Sequence, residues 1–192
     1  MLLSPVRLTL DKGPHTFGGY DGGPVQSPIV SGVEIPGLFK HDYYDYEPAA
    51  EPTTREILLP SEMALRLGSF FMQCYTAEPS LPRSERADCH TFVDYMMGLS
   101  DQSAPVVQSK AATAPLEEYP TPIEDMQLYT PYGMVKWKGD RGDNIHSVIA
   151  LPGDESISVR GIGSAVVLAD TACMLHEFGA QTVHRIIGPP HY

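Results

Sequence analysis

The sequence predicts an α+β fold, with a helical part first and an antiparallel β-meander after it. Three observations predict this. Counting from Cys89, the residues at +3, +4, +7 and +8 are Phe92, Val93, Met96 and Met97, an apolar stripe at helical spacing. Residues 61–75 repeat the pattern more broadly, with Met63, Leu67, Phe70, Phe71 and Cys74 on one face. From Tyr132 onward the pattern changes to short alternating segments bounded by Gly, Pro, Asp and Asn, the signature of strands joined by turns.

The 192 residues suffice for one domain with a sizeable core. Residues 1–55 are Gly- and Pro-rich and are expected as an irregular arm laid over a domain spanning 56–192. Within that arm, residues 6–10 and 29–35 have the composition of short strands. The run Asp42-Tyr43-Tyr44-Asp45-Tyr46-Glu47 reads as a solvated segment or as a partner- or substrate-binding edge, because tyrosine offers both apolar area and a polar tip. Residues 48–54 form a linker candidate. Ser61, after Pro60, is placed to cap the helix over 61–75, in which Cys74 falls on the core face. A connection carrying two prolines leads to the Cys89 helix, which Gly98 closes. Residues 100–125, rich in Ala, Ser, Thr and Pro, read as a long loop. Strands follow at 134–138 and 145–151, then a turn at Pro152-Gly153-Asp154 and a returning strand at 156–162. Asp170 caps a last helix that Gly179 stops after Phe178, and residues 182–187 finish as a strand. Arg141-Gly142-Asp143 falls in a turn and carries no adhesion role in this reading.

Charge excludes several functions. With 24 acids against 13 bases the formal charge is −11, which argues against nucleic acid or an anionic membrane surface as partner. No apolar run approaches membrane-spanning length, and the polar, proline-broken start is unlike a secretory signal, so a cytoplasmic location is expected, with unconventional export left open. Cys74, Cys89 and Cys173 form neither an even disulfide framework nor a close-spaced metal pair. Free thiols and no cofactor are expected. The oligomeric state is not written in the sequence.

Cys89 is where the chemistry concentrates. Asp88 is placed to cap its helix, so the thiol lies in the first turn, where the dipole and the orphan amides favour a thiolate. A buried core cysteine would occupy the same place, and both readings stand. His146 opens a strand 57 residues later, and a rigid strand is a good support for a base that meets its nucleophile in space. His90, next to the cysteine, points to another side of the helix. Cys173 and His176 share a helical face, a weak metal signal without a second pair.

Asp88-Cys89-His90-Thr91-Phe92-Val93 resembles the Asp-Cys-Ser-Gly-Phe-Val signature of NlpC-type cysteine peptidases, a bacterial branch of the papain-like fold. Tyr132-Gly133-Met134-Val135-Lys136-Trp137 resembles that family's strand before the histidine, and His146-Ser147-Val148-Ile149-Ala150-Leu151 its His-Val-Gly-Ile-Tyr strand. The resemblance covers residues 61–187. It implies a papain-like domain in which a helical part carrying the cysteine packs on a meander carrying the histidine. It implies Cys89 as nucleophile held as thiolate, His146 as general base, and an amide or peptide substrate. The third member, which orients the imidazole, falls at Ser158, with Glu155 and His176 as alternatives. Tyr75, Asp88 and Trp137 become candidates for the oxyanion site or substrate contact. The chain departs from the family at His90-Thr91, where Ser-Gly is usual. A non-catalytic binding module of the same fold is the alternative expectation, and a metal protein using Cys89, His90 and His146 a third.

Overall fold

The computed structural model of the chain describes residues 1–11, 25–30, 33–34, 53–76, 88–100, 114–159 and 166–188. Nine strands among these residues form one sheet: β1 (Leu3–Asp11), β2 (Val25–Val30), β3 (Val33–Glu34), β4 (Thr53–Pro60), β5 (Pro131–Lys138), β6 (Arg141–Leu151), β7 (Glu155–Val159), β8 (Val166–Asp170) and β9 (Thr182–Arg185). Their order is β4-β1-β2-β8-β7-β6-β5-β9, with β3 paired to β2, and every pairing is antiparallel. Three helices complete the architecture: α1 (Ser61–Thr76), α2 (Cys89–Met96) and α3 (Thr171–Phe178). The fold is α+β.

Strand alternation sorts the side chains into two cores. On one face, Ile149, Leu151, Ile157 and Leu168 meet Met63, Leu67 and Phe70 of α1 and Phe92, Val93 and Met96 of α2. On the other, Tyr132, Met134, Val148, Ala150 and Ala169 meet Met174, with Phe178 packed alongside. The short helix α2 is thus apolar on the side that the sequence marks. Arg66 of α1 donates to the carbonyl of Tyr95 at 3.2 Å, placing a cation at the negative end of α2.

The expectation of an irregular arm over residues 1–55 is corrected. β4 runs across the boundary at 55/56 and pairs along its length with β1, while β2 joins β8. Val6 and Leu59 are fully buried in the first core, so these strands are part of the domain. The tyrosine run at 42–47 and the linker at 48–54, apart from the start of β4, lie outside the described residues. Ser61 is the first residue of α1, and its hydroxyl bonds Ser4 at 2.7 Å and ties α1 to β1. The loop over 100–125 is described only in part. There, Glu117 and Thr121 amides bond carbonyls of Arg185 and Val183, running the segment along β9. β8 was not anticipated. It lies between the returning strand and the last helix, where the sequence offers only a brief apolar run.

Gly98, at φ +71°, ends α2 in the left-handed region, and Gly179, at φ +66°, ends α3, both as the sequence predicts. Arg141 and Asp143 pair with each other at 2.9 Å at the exposed start of β6. No described helix is long and apolar enough to cross a membrane.

Candidate active site

Cys89 owes its position to a reciprocal cap. The Asp88 Oδ1 accepts from the amides of His90 (3.0 Å) and Thr91 (2.8 Å), and the Asp88 amide donates to Thr91 Oγ1 (2.8 Å). The helix can therefore begin at no other residue without breaking three hydrogen bonds, and Cys89 is its first member.

β6 is built to receive that residue. The β5–β6 register skips Ile145, a bulge that re-aims the strand just before His146. The β6–β7 pairing ends at Ile149–Ile157, so the main chain of Ser147 has no strand partner on the β7 side. Two side chains take its place. The Ser147 carbonyl accepts from Ser158 Oγ at 2.5 Å, and the Ser147 backbone lies near enough to Cys89 to favour its thiolate. The Ser147 hydroxyl is engaged as well, with His90 Nδ1 at 2.7 Å and Asn144 Nδ2 donating at 3.2 Å. Ser147, fully buried, thus joins α2, the bulge and β7.

The sequence pair lies on adjoining elements, Cys89 at the start of α2 and His146 on β6; Ser147 turns its side chain to α2, while the His146 ring turns to the other face of the sheet and stacks on Phe178 of α3. The protonation states differ from expectation. Burial pushes the Cys89 thiol up to about 12, and the nearby Asp88 carboxylate adds to it, against backbone hydrogen bonds from Ser147, Cys89 and His90. The resting residue is a thiol, which corrects the expected thiolate: desolvation outweighs the helix dipole. Burial likewise pushes His146 down to about 3, with His90 contributing repulsion, so the imidazole is neutral. His90 is lowered too, chiefly by burial and against the pull of Asp88 and Asp94. Cys89 is 7% exposed and His146 2%. One face of the His146 ring stacks on Phe178, centroids 3.7 Å apart and planes 15° from parallel.

The other candidates fall as follows. Ser158 hydrogen-bonds the Ser147 carbonyl, and so supports the strand that carries the base. Asp88 is the cap of α2. Trp137 lies four residues along β5 from Gly133, the partner of Ser147, and its indole donates to Thr182 at 2.8 Å beside His184; this places it with β9 rather than with Cys89. Tyr75 belongs to the last turn of α1, and its side chain lies outside the described residues. Glu155 opposes Leu151 at the far end of the β6–β7 pairing, and His176 is exposed on α3. Among the described residues no three His, Cys, Asp or Glu side chains gather to hold a metal. A cavity of about 80 Å³ lies at the β6–β7 turn, lined by Met126, Leu151, Asp154, Glu155 and Thr171 among others, away from the cysteine.

Sequence reasoning missed Ser147, Asn144 and Phe178. A polar residue directly after a strand histidine, and an aromatic directly before a helix-stopping glycine, were the available signals. Their partners come from other elements, so spacing could not join them.

Fold and site together define an α+β protein with a buried cysteine at the start of α2 and a buried histidine on the neighbouring strand β6. No protein family, no curated protein and no solved structure matches the chain.

Proposed function

We propose that the chain is a cysteine-dependent hydrolase or acyl transferase of papain-like, NlpC-type architecture, acting on an amide with Cys89 as nucleophile and His146 as base. The observation that carries the reading is the 2.7 Å contact between His90 Nδ1 and Ser147 Oγ, because it holds the first turn of α2, which Cys89 opens, against the residue that adjoins His146. In this reading the thiol and imidazole are both neutral at rest, so no ion pair precedes the reaction. His146 takes the thiol proton as sulfur attacks the carbonyl, then delivers it to the leaving amine. The thioester formed is opened by water or an acceptor amine, with His146 again accepting a proton. The Cys89 amide, at the positive end of α2, supplies an oxyanion donor. Ser158 acts through the Ser147 carbonyl, holding the strand.

The test is acylation by an activated ester such as p-nitrophenyl acetate, followed by peptide mass analysis. A burst and an acetyl group on Cys89, lost in Cys89→Ala and strongly slowed in His146→Ala, is the expected result. Acetylation confined to other residues, or Cys89 acetylation indifferent to His146, would sink the proposal.

A second reading, a non-catalytic module of the same fold that binds a protein partner, is favoured by the burial of both groups and by the thiol at about 12. It expects no burst and an unreactive Cys89 under the same conditions.

A further inference from the structure

We infer that Phe178 is a positioning residue of this site, the side chain that fixes the plane of the His146 imidazole and closes it off from water. The significance of this for catalysis rests on the proposed role of His146 as base; the ring contact itself does not.

The phenyl and imidazole lie almost flat on each other, 3.7 Å between centroids with planes 15° apart. At that separation no water fits between them, and turning the imidazole out of its plane would drive its edge into the phenyl. Phe178 is itself half-buried while His146 is 2% exposed, so the phenyl stands on the solvent side of the pair. Its place is fixed locally. Asp170 starts α3 by accepting from the Cys173 amide at 3.0 Å, and Gly179 ends it, its amide donating to the His176 carbonyl at 3.1 Å. Phe178 is therefore always the last helical residue, at the point where α3 overlies β6.

The groups around His146 disfavour a charge on it. His90 of α2 repels a charge on it, with Asp88 and Asp94 acting on His90 in turn. From β5, its direct partner is the apolar Met134, and Lys136 reaches past it to within 3.8 Å of where a Cβ on Gly179 would stand. Cys89, a neutral thiol, lies at the following peptide. A flat, dry imidazole in these surroundings stays neutral well into acid. Removing the phenyl admits water to one face and lets the ring turn.

The experiment is an NMR titration of the His146 ring, assigned with His146→Gln, in the full chain carrying Phe178→Ala, Phe178→Leu or Phe178→Trp. In the wild type the His146 signal should not titrate between about pH 5 and 8. Alanine and leucine should bring its midpoint up toward ~6.5, the ordinary imidazole value, and tryptophan, which restores a flat face, should return wild-type behaviour. Leucine keeps apolar bulk without a flat face, so it decides the matter if the alanine protein does not fold. A folded leucine variant whose His146 still does not titrate, or a tryptophan variant that titrates like leucine, overturns the inference. The titration reads the ring and not turnover. A wild type that fails to acylate Cys89 would remove the enzyme reading while leaving the positioning result to stand or fall by itself.

Discussion

A thiol at about 12 and an imidazole at about 3 keep the proton on sulfur across the ordinary pH range. Burial that holds the thiol this high leaves far less thiolate at neutral pH than an ordinary cysteine has. Native Cys89 should therefore be alkylated by iodoacetamide far more slowly than half-buried Cys173, and mass mapping at short reaction times should show the label on Cys173 first. Fast labelling of Cys89 in the folded protein would contradict the buried thiol. The same two groups give stability a window. His146 binds its proton at about 6.5 when unfolded and about 3 when folded, so the unfolded state holds more protons between those values and stability falls as pH drops from ~6.5 to ~3. Cys89 loses its proton at about 9 unfolded and about 12 folded, so the unfolded state holds fewer protons there and stability falls as pH rises from ~9 toward ~12. Unfolding free energies from urea titrations should accordingly be level from about pH 6.5 to 9 and decline on both sides. Replacing His146 with Gln should flatten the acid limb.

At the scale of the element, the cap of α2 carries both a structural and an electrostatic role. Asp88→Ala removes the acceptor for two amides and should cost about 1 kcal/mol of stability. Asp88→Asn keeps an acceptor and loses the charge that raises the thiol, so it should stay near wild-type stability while Cys89 alkylation becomes faster. Chemical unfolding and labelling rates measured on the two variants separate the effects; equal labelling in wild type and Asp88→Asn would exclude the carboxylate as a contributor. The caps show why these helices were legible in the sequence. Asp88 and Gly98, or Asp170 and Gly179, act within one helix, so a local pattern fixes both ends. The bulge at Ile145 was not legible, because it exists only in the pairing of β6 with β5.

At the scale of the molecule, the amino-terminal strands close one side of the sheet. β1 and β4 bury Val6, Ile57 and Leu59 against the helix face, and β2 connects them to β8. A chain cut to residues 56–192 would lose β1, β2, β3 and part of β4, and leave that core open to water. It should lack a cooperative thermal transition by circular dichroism and bind a dye for exposed apolar surface. A sharp transition in the truncated protein would restore the reading of residues 1–55 as an appendage.

The sequence by itself determined the α+β class, the start and end of α2 and α3 and the strands of the meander, and it singled out Cys89 and His146, which lie on adjoining elements. Each depends on periodicity or capping, which act over a few neighbouring residues. The tertiary structure decided the rest. Ser147 became the joint between α2 and β6 because its hydroxyl reaches His90 where β7 leaves its main chain without a strand partner, and Phe178 covers His146 from the end of α3. The protonation of the pair was decided there too. Helix dipole and amides at a first turn are local and favour the thiolate, but desolvation depends on everything packed around the sulfur, and in this fold it is the larger effect.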